Sequence, residues 1–325
     1  MAVLVTGGAG YIGSHMVLAL LDRGEQPIVL DNLSTGRRDL IPAAALVIED
    51  EAGDQLLVRR LIRENGVDSV VHFAGSIVVP ESVARPLDYY ANNTVVSRAL
   101  VEACIQEGVE NFIFSSTATV YAADAKQPLS EDEPTIPISP YARSKLMTEW
   151  MLQDTSRAHG LRAMSLRYFN VAGADPKGRT GQSTPMATHL IKRACQVALG
   201  RAPYLDIFGT DYPTPDGTGI RDYIHVCDLV AGHLLALDAL RAGAESATYN
   251  VGYGRGLSVR EVVRGVEAVI GRPLPVRESP RRAGDPPVLI SDPSRIKAAL
   301  GWQPQLDDLP GIIRSALNWE QRLAS

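Results

Sequence analysis

Short apolar runs alternate with helical patterns through the first half of the chain. Val3–Val5, Ile28–Leu30, Leu46–Ile48, Ser69–Phe73, Asn111–Ser115 and Arg162–Phe169 predict strands. Residues 12–23, 54–65, 86–107 and 141–159 predict helices between them. Such alternation implies a parallel sheet covered on both faces. Ligands of these sheets bind beyond the carboxyl ends of the strands. Gly7, Gly75, Ser115–Thr117 and Asn170 all fall at such ends, so separate stretches of chain converge on one crevice. After Ala174 the regular alternation is lost. Residues 174–222 are rich in Gly, Pro, Thr and Asp around one helical stretch at 186–199. A helix over 226–240, a strand at Thr248–Val251, a helix over 258–270 and a proline-rich loop at 273–287 follow.

The first strand runs directly into Gly7-Gly8-Ala9-Gly10-Tyr11-Ile12-Gly13 and then into a helix. Gly7 lets the strand turn, Gly10 lets backbone amides approach a phosphate, and Gly13 lets the helix pack on the strand. That layout places a pyrophosphate on a helix N-terminus. The second strand ends in Asp31, which can accept hydrogen bonds from an adenosine ribose and repels a 2′-phosphate. The expected cofactor is therefore NAD rather than NADP. Strand, glycines, helix, strand and acid in this order are far more specific than the glycines alone. The fold class that follows is α/β. A doubly wound parallel Rossmann sheet binds NAD over residues 1–173, and a smaller mixed α/β substrate-binding lobe spans 174–325. A return of the chain to the first domain near 226–240 is left open.

Composition narrows the partners. The chain has 325 residues, 45% hydrophobic and 21% charged, with a net charge of −5, which suits an ordinary globular protein with an ample core. It shows no basic block for nucleic acid and no apolar run of membrane-spanning length. Cys104, Cys195 and Cys227 are odd in number and far apart, which predicts no disulfide framework. The first strand starts at residue 3, so no signal peptide is expected and the compartment is a reducing cytoplasm. His15, His72, His159, His189, His225 and His233 show no convincing metal spacing, and no metal is expected.

Ser139 and Pro140 suit the N-cap and first position of a helix carrying Tyr141 and Lys145 on one face. A tyrosine acting as a base near neutrality must lose about three pK units, at a cost of about 4 kcal/mol. A lysine ammonium about 4 Å away supplies roughly that at an effective dielectric of 20. The positive nicotinamide ring of NAD⁺ pushes the same way. Tyr141 is thus the expected base for an alcohol proton. Thr117 is the expected hydrogen-bonding partner at the reacting hydroxyl. Alone, Tyr-x-x-x-Lys is a common surface pattern; the glycine clamp and Ser115-Ser116-Thr117 give it meaning.

The glycine clamp to His15, Asp31-Asn32-Leu33, His72-Phe73-Ala74-Gly75, Ser115 to Tyr121 and Tyr141-x-x-x-Lys145 resemble motifs of the extended short-chain dehydrogenases/reductases. Arg167-Tyr168-Phe169-Asn170, Ile207-Phe208-Gly209, the run Asp216–Val226 and Arg282-Ala283-Gly284-Asp285 narrow the resemblance to the family's UDP-hexose 4-epimerases, over nearly the whole chain. The resemblance implies an NAD-dependent isomerase that interconverts UDP-galactose and UDP-glucose through a transient 4-keto sugar. Tyr141 would take the C4 hydroxyl proton while hydride leaves C4. Nucleotide contacts are implied at Tyr11, Ile12, Asp31, Asn32, Asp50, Phe73, Ala74, Asn92, Lys145 and Tyr168. UDP-sugar contacts are implied at Thr117, Tyr141, Asn170, Phe208, Arg221, Arg282 and Asp285, with His189 aligned near the uracil. An Arg fork matches a diphosphate bidentately, which suits Arg221 and Arg282. A homodimer through helices 86–107 and 141–159 is implied as well.

The chain departs from the family at Ile77, where many relatives carry lysine, and at Glu49, where glycine is usual. Leu289 stands at a wall position that decides how large a C2 substituent fits. The alternative reading is a 4-epimerase of another UDP-sugar: UDP-N-acetylglucosamine, UDP-xylose or UDP-arabinose, or UDP-glucuronate. A dehydratase needs an acid beside Thr117, where Ala118 and Thr119 stand. A non-catalytic NAD sensor would typically lack Tyr141 or Lys145, and both are present.

Overall fold

The structure, a computed structural model, describes residues 1–184, 188–282 and 285–323. Its first half runs β1 (Ala2–Thr6), α1 (Tyr11–Asp22), β2 (Gln26–Asp31), β3 (Leu46–Glu49), α2 (Gln55–Asn65) and β4 (Val67–His72). Then come α3 (Val79–Ala84), α4 (Pro86–Tyr89), a π-helical turn (Tyr90–Val95), α5 (Val96–Gln106), β5 (Asn111–Thr117), α6 (Pro140–His159) and β6 (Arg162–Tyr168). The second half runs β7 (Asn170–Ala172), α7 (Leu190–Ala198), β8 (Leu205–Phe208), β9 (Ile220–His225), α8 (Val226–Arg241), β10 (Ala247–Val251) and β11 (Gly256–Ser258). It ends with α9 (Val259–Ile270), β12 (Val276–Ser279), β13 (Val288–Leu289), α10 (Ser294–Leu300) and α11 (Leu309–Arg322).

Seven strands pair in the order β10-β6-β5-β4-β1-β2-β3, and every pairing is parallel. Val3, Leu4 and Val5 of β1 are wholly buried, as a strand covered on both faces requires. The chain reverses direction of build between β1 and β4, and that switch point opens the crevice expected of a doubly wound sheet. The return left open near 226–240 is made by α8, which packs on β5, β6 and α1, and β10, expected in the second lobe, instead lies beside β6 in this sheet. A second sheet, β11-β9-β13 with β7 added on β9, and the small β12-β8 pair form the other lobe.

Helix ends follow local chemistry. Ser139 caps α6 by accepting from the Ala142 amide at 3.2 Å, Pro140 fills the first position, and Gly160 closes the helix at φ +72°. Two readings need correction. The helix expected over 86–107 is broken by the π turn, because Asn92 and Asn93 there turn their amides onto the Ser76 loop. The loop expected at 273–287 contains β12. Its mostly exposed Val-Arg-Glu-Ser has no alternating apolar face and is recruited by β8 through backbone pairing. Of the helix expected at 186–199, α7 covers Leu190–Ala198, and residues 185–187 lie outside the described part.

Candidate active site

The strand-to-helix turn after β1 is built for close approach. Gly7 sits at φ +69°, and a Cβ there would lie 2.6 Å from the Ala74 nitrogen. A Cβ on Gly13 would lie 2.1 Å from the Gly7 carbonyl oxygen, so α1 rests directly on the turn. Gly10 caps α1 without a side-chain partner, leaving the first-turn amides of Tyr11 and Ile12 facing the crevice end of the helix. Asp31, buried at the end of β2, accepts from the amides of Ala9 (2.8 Å) and Leu33 (2.9 Å), and burial raises its carboxyl. Asp50 follows β3 and donates its amide to the Asp31 carbonyl at 3.2 Å, while exposed Asn32 bonds Glu51 at 3.1 Å. Phe73 and Ala74 follow β4 next to the Gly7 turn, and Asn92 donates to the Ser76 hydroxyl at 2.8 Å. All these residues gather along the carboxyl ends of β1, β2, β3 and β4.

Beside them, at the end of β5, lies the reactive cluster. Burial pushes the Tyr141 phenol up to about 12, while the neighbouring Thr117 hydroxyl, itself bonded to Thr119 at 3.0 Å, pulls the other way. The spacing argument expected the lysine ammonium to set this tyrosine; burial sets it instead, because the helix face carrying Tyr141 is packed into the protein. Lys145 is itself pushed down to about 8 by burial. Its ammonium donates to the Ser115 carbonyl at 2.9 Å and lies 5.0 Å over the Phe114 ring. Tyr168, in register with Thr117, hydrogen-bonds His233 and is held above its ordinary value by burial.

The second lobe contributes two arginines. Arg282 lays its guanidinium 3.8 Å over the Phe208 ring. Arg221 stands 3.5 Å from Asp285 and donates to the Ile220 carbonyl at 2.8 Å. Asn170 pairs with Tyr223 in the β7–β9 register, and Tyr11, Asn170, His189 and Tyr223 line one cleft. Burial keeps His189 below its ordinary value, and its Nδ1 lies 3.3 Å from Gln182. Much of the Asp216–Val226 run is scaffold for Arg221. Asp216 accepts from Thr218 and from Ser258 at the cap of α9, and Asp222 accepts from Tyr253, Gly254 and Ser291. Ala283 and Gly284, between Arg282 and Asp285, lie outside the described residues.

Residues 3–252 match the model of the NAD dependent epimerase/dehydratase family. The chain belongs to that family. The UDP-glucose 4-epimerase of Azospirillum brasilense is 60% identical over 321 residues, covering 99% of this chain and 92% of that protein. The crystal structure of UDP-glucose 4-epimerase from Brucella ovis in complex with NAD superposes with a TM-score of 0.94 at 43% identity, covering 98% and 97% of the two chains. The Bifidobacterium longum enzyme in complex with NAD⁺ and UDP gives 0.93 at 37% identity, covering 99% and 98%.

The family's NAD fits the residues present. Side chains on Gly7 or Gly13 would fill the turn, the α1 N-terminus without a side-chain cap suits a pyrophosphate, and the buried Asp31 suits a ribose. Sequence reasoning in this epimerase/dehydratase chain missed Asn93. Its side chain accepts from the Ser76 amide (2.7 Å) and donates to the Ser76 carbonyl (3.0 Å) and Ser144 hydroxyl (2.9 Å), bolting the Gly75 loop to α6. It also missed Glu149 and Arg167. The spacing of Glu149, eight residues past Tyr141 on the same helix face, was the available signal. No group of three or more His, Cys, Asp or Glu among the described residues is arranged to hold a metal ion.

Proposed function

We propose that this chain interconverts UDP-galactose and UDP-glucose, the activity that its relatives' names carry, with NAD bound at the β1–α1 turn. The observation that supports it most is the Lys145 ammonium held on the Ser115 carbonyl at 2.9 Å, at the carboxyl end of β5 and one helical turn from Tyr141. When bound, NAD supplies a reversible hydride acceptor for C4. Tyr141 takes the C4 hydroxyl proton and returns it, with Thr117 holding the exchanging proton in line. A phenol held at about 12 stays protonated near neutral pH, so positive charge brought beside it is needed to free the tyrosinate, and Lys145 adds to that charge. Arg221 and Arg282 grip the diphosphate, and the Phe208 ring offers a face for the base. Binding energy then resides in the nucleotide, which leaves the hexose free to present either face of C4.

We also infer a homodimer. Val95 beside α5 and Trp150 on α6 are 58% and 53% exposed apolar residues, on elements that pack against one another. Sedimentation at micromolar concentration tests it; a monomer sinks it. A reducing cytoplasm suits Cys104, Cys195 and Cys227, all unpaired, of which two are buried. No helix among the described residues is long and apolar enough to cross a membrane.

The deciding experiment is incubation with UDP-galactose and no added reductant, followed by proton NMR. UDP-glucose should grow in to equilibrium, and Tyr141→Phe should abolish it with the fold intact. Turnover of UDP-N-acetylglucosamine or UDP-xylose instead would keep the chemistry and move the substrate. Silence on every UDP-sugar with NAD bound would overturn the reading.

A further inference from the structure

Tyr141, Lys145 and Glu149 occupy successive turns of one face of α6. Each reaches a different residue of the last three in β5. Lys145 donates to the Ser115 carbonyl, the Ser116 hydroxyl donates to Glu149 Oε1, and Tyr141 lies beside Thr117, whose hydroxyl draws the phenol down. Glu149 is held from the other side by Arg167 of β6, the residue in register with Ser116. Arg167 Nε donates to Oε1 at 3.0 Å and Nη2 donates to Oε2 at 2.6 Å. Both side chains are buried, at 6% and 1% exposure, so water does not substitute for either partner. Arg167 stacks 4.8 Å over the Tyr121 ring, and its neighbour in sequence is Tyr168. One carboxylate therefore ties α6, β5 and β6 together a single helical turn beyond Lys145.

We propose that Glu149, clamped by Arg167 and Ser116, is a positioning residue that fixes the register of α6 on β5 and so aligns Tyr141 and Lys145 with Thr117. A buried ion pair is weak evidence for stability in itself, since apolar residues of similar volume often do as well. What such a pair supplies is geometry: two forked, directional bonds that admit one register. Slippage of α6 by a fraction of its rise would lengthen the Lys145–Ser115 bond and carry Tyr141 away from Thr117, while leaving the arginines of the other lobe in place. The inference rests on the epimerase reading for its kinetic consequence but not for its structural one.

The test uses the full-length holoenzyme and the variants Glu149→Gln and Ser116→Ala. Positioning predicts that kcat per bound NAD falls roughly 10- to 100-fold in Glu149→Gln, with KM within about twofold. Ser116→Ala, which changes no charge and leaves only a small space, should lose on the order of fivefold in kcat. The pH profile separates alignment from bare charge. The titratable neighbours of Tyr141 are Lys145 on its own helix, Tyr89 on α4 and Tyr168 on β6. Loosening Thr117 and Lys145 from it moves the rising limb of kcat to higher pH. The uncompensated Arg167 cation acting through space would move that limb to lower pH. A downward shift in Glu149→Gln, or an unchanged kcat and limb in either variant, overturns the proposal. Amide exchange supplies a readout that needs no substrate. Protection should drop over residues 115–117 and 140–149 in both variants, and unchanged protection there overturns the proposal even were the wild type silent on UDP-sugars. Should Glu149→Gln fail to fold, Ser116→Ala decides alone.

Discussion

The Lys145 ammonium is bonded to the Ser115 carbonyl at 2.9 Å, two residues before Thr117 on the same strand. This holds the cation at the strand end where the reacting hydroxyl must lie, rather than in solvent where a lysine usually sits. Burial pushes that ammonium down to about 8. Above about pH 8 the lysine is neutral and no longer favours the tyrosinate. A falling limb centred near pH 8 is therefore expected in kcat. Lys145→Met keeps the apolar stem and removes the charge; it should lose about 10²- to 10⁴-fold in kcat and lose that limb with it. A pH profile of the variant that retains the limb would assign it to another group.

Arg282 over Phe208 makes a different kind of claim, about binding rather than chemistry. The guanidinium carbon lies 3.8 Å from the ring centroid, pre-ordered before any ligand arrives. Arg282→Ala removes a charged donor to a diphosphate, a change worth about 1.5–3 kcal/mol. Calorimetry with UDP should show a weakening of roughly 10- to 100-fold, with kcat at saturating substrate nearly unchanged. A large loss in kcat at unchanged UDP affinity would place Arg282 near the hexose instead.

The sequence carried the large sheet well because burial on both faces leaves continuous apolar runs, as in Val3–Val5 and Ile28–Leu30. It carried the glycine turn because the close approaches at Gly7 and Gly13 admit no side chain. The short strands β7, β8, β12 and β13 were illegible: two to four residues cannot display a period, and their pairing is decided by partners far along the chain. Asn93, Glu149 and Arg167 were missed for a related reason. A buried polar residue looks like any surface one until the fold shows what it bonds. The Tyr141 environment was misjudged because charge spacing can be read from sequence and desolvation cannot.

Asp31 should govern the choice of dinucleotide. Its carboxylate already takes two amide hydrogen bonds, from Ala9 and Leu33, which fix it at the end of β2 despite the burial that raises its carboxyl. A fixed anion there repels a 2′-phosphate. Asp31→Asn retains an acceptor and removes the charge. The ratio of NADH to NADPH affinity, read by fluorescence titration, should fall at least about tenfold. An unchanged ratio would mean that the ribose is held elsewhere.

Four histidines should make the fold sensitive to acid. Burial pushes His15, His225 and His233 down to about 4 and His72 down to about 3, from an ordinary 6.5. Each is built in as a neutral ring. His72 lies between Thr6 at 2.6 Å and Ser97 at 2.8 Å, His233 bonds Tyr168 and the Leu229 carbonyl, and His225 caps α8. Between about 6.5 and 4 the unfolded chain binds protons that the folded chain refuses. Stability therefore falls as pH drops through that window, by at most about 1.4 kcal/mol per pH unit for each histidine. The carboxyls of Asp31 and Asp222, raised by burial, oppose this because the folded state protonates them first. Their pull grows at the acid end, so the histidine effect is cleanest from pH 7 to about 5. Urea midpoints across that range should decline steadily, and His233→Gln should flatten the decline by about one histidine's share. A flat stability profile would mean that these rings protonate inside the folded protein.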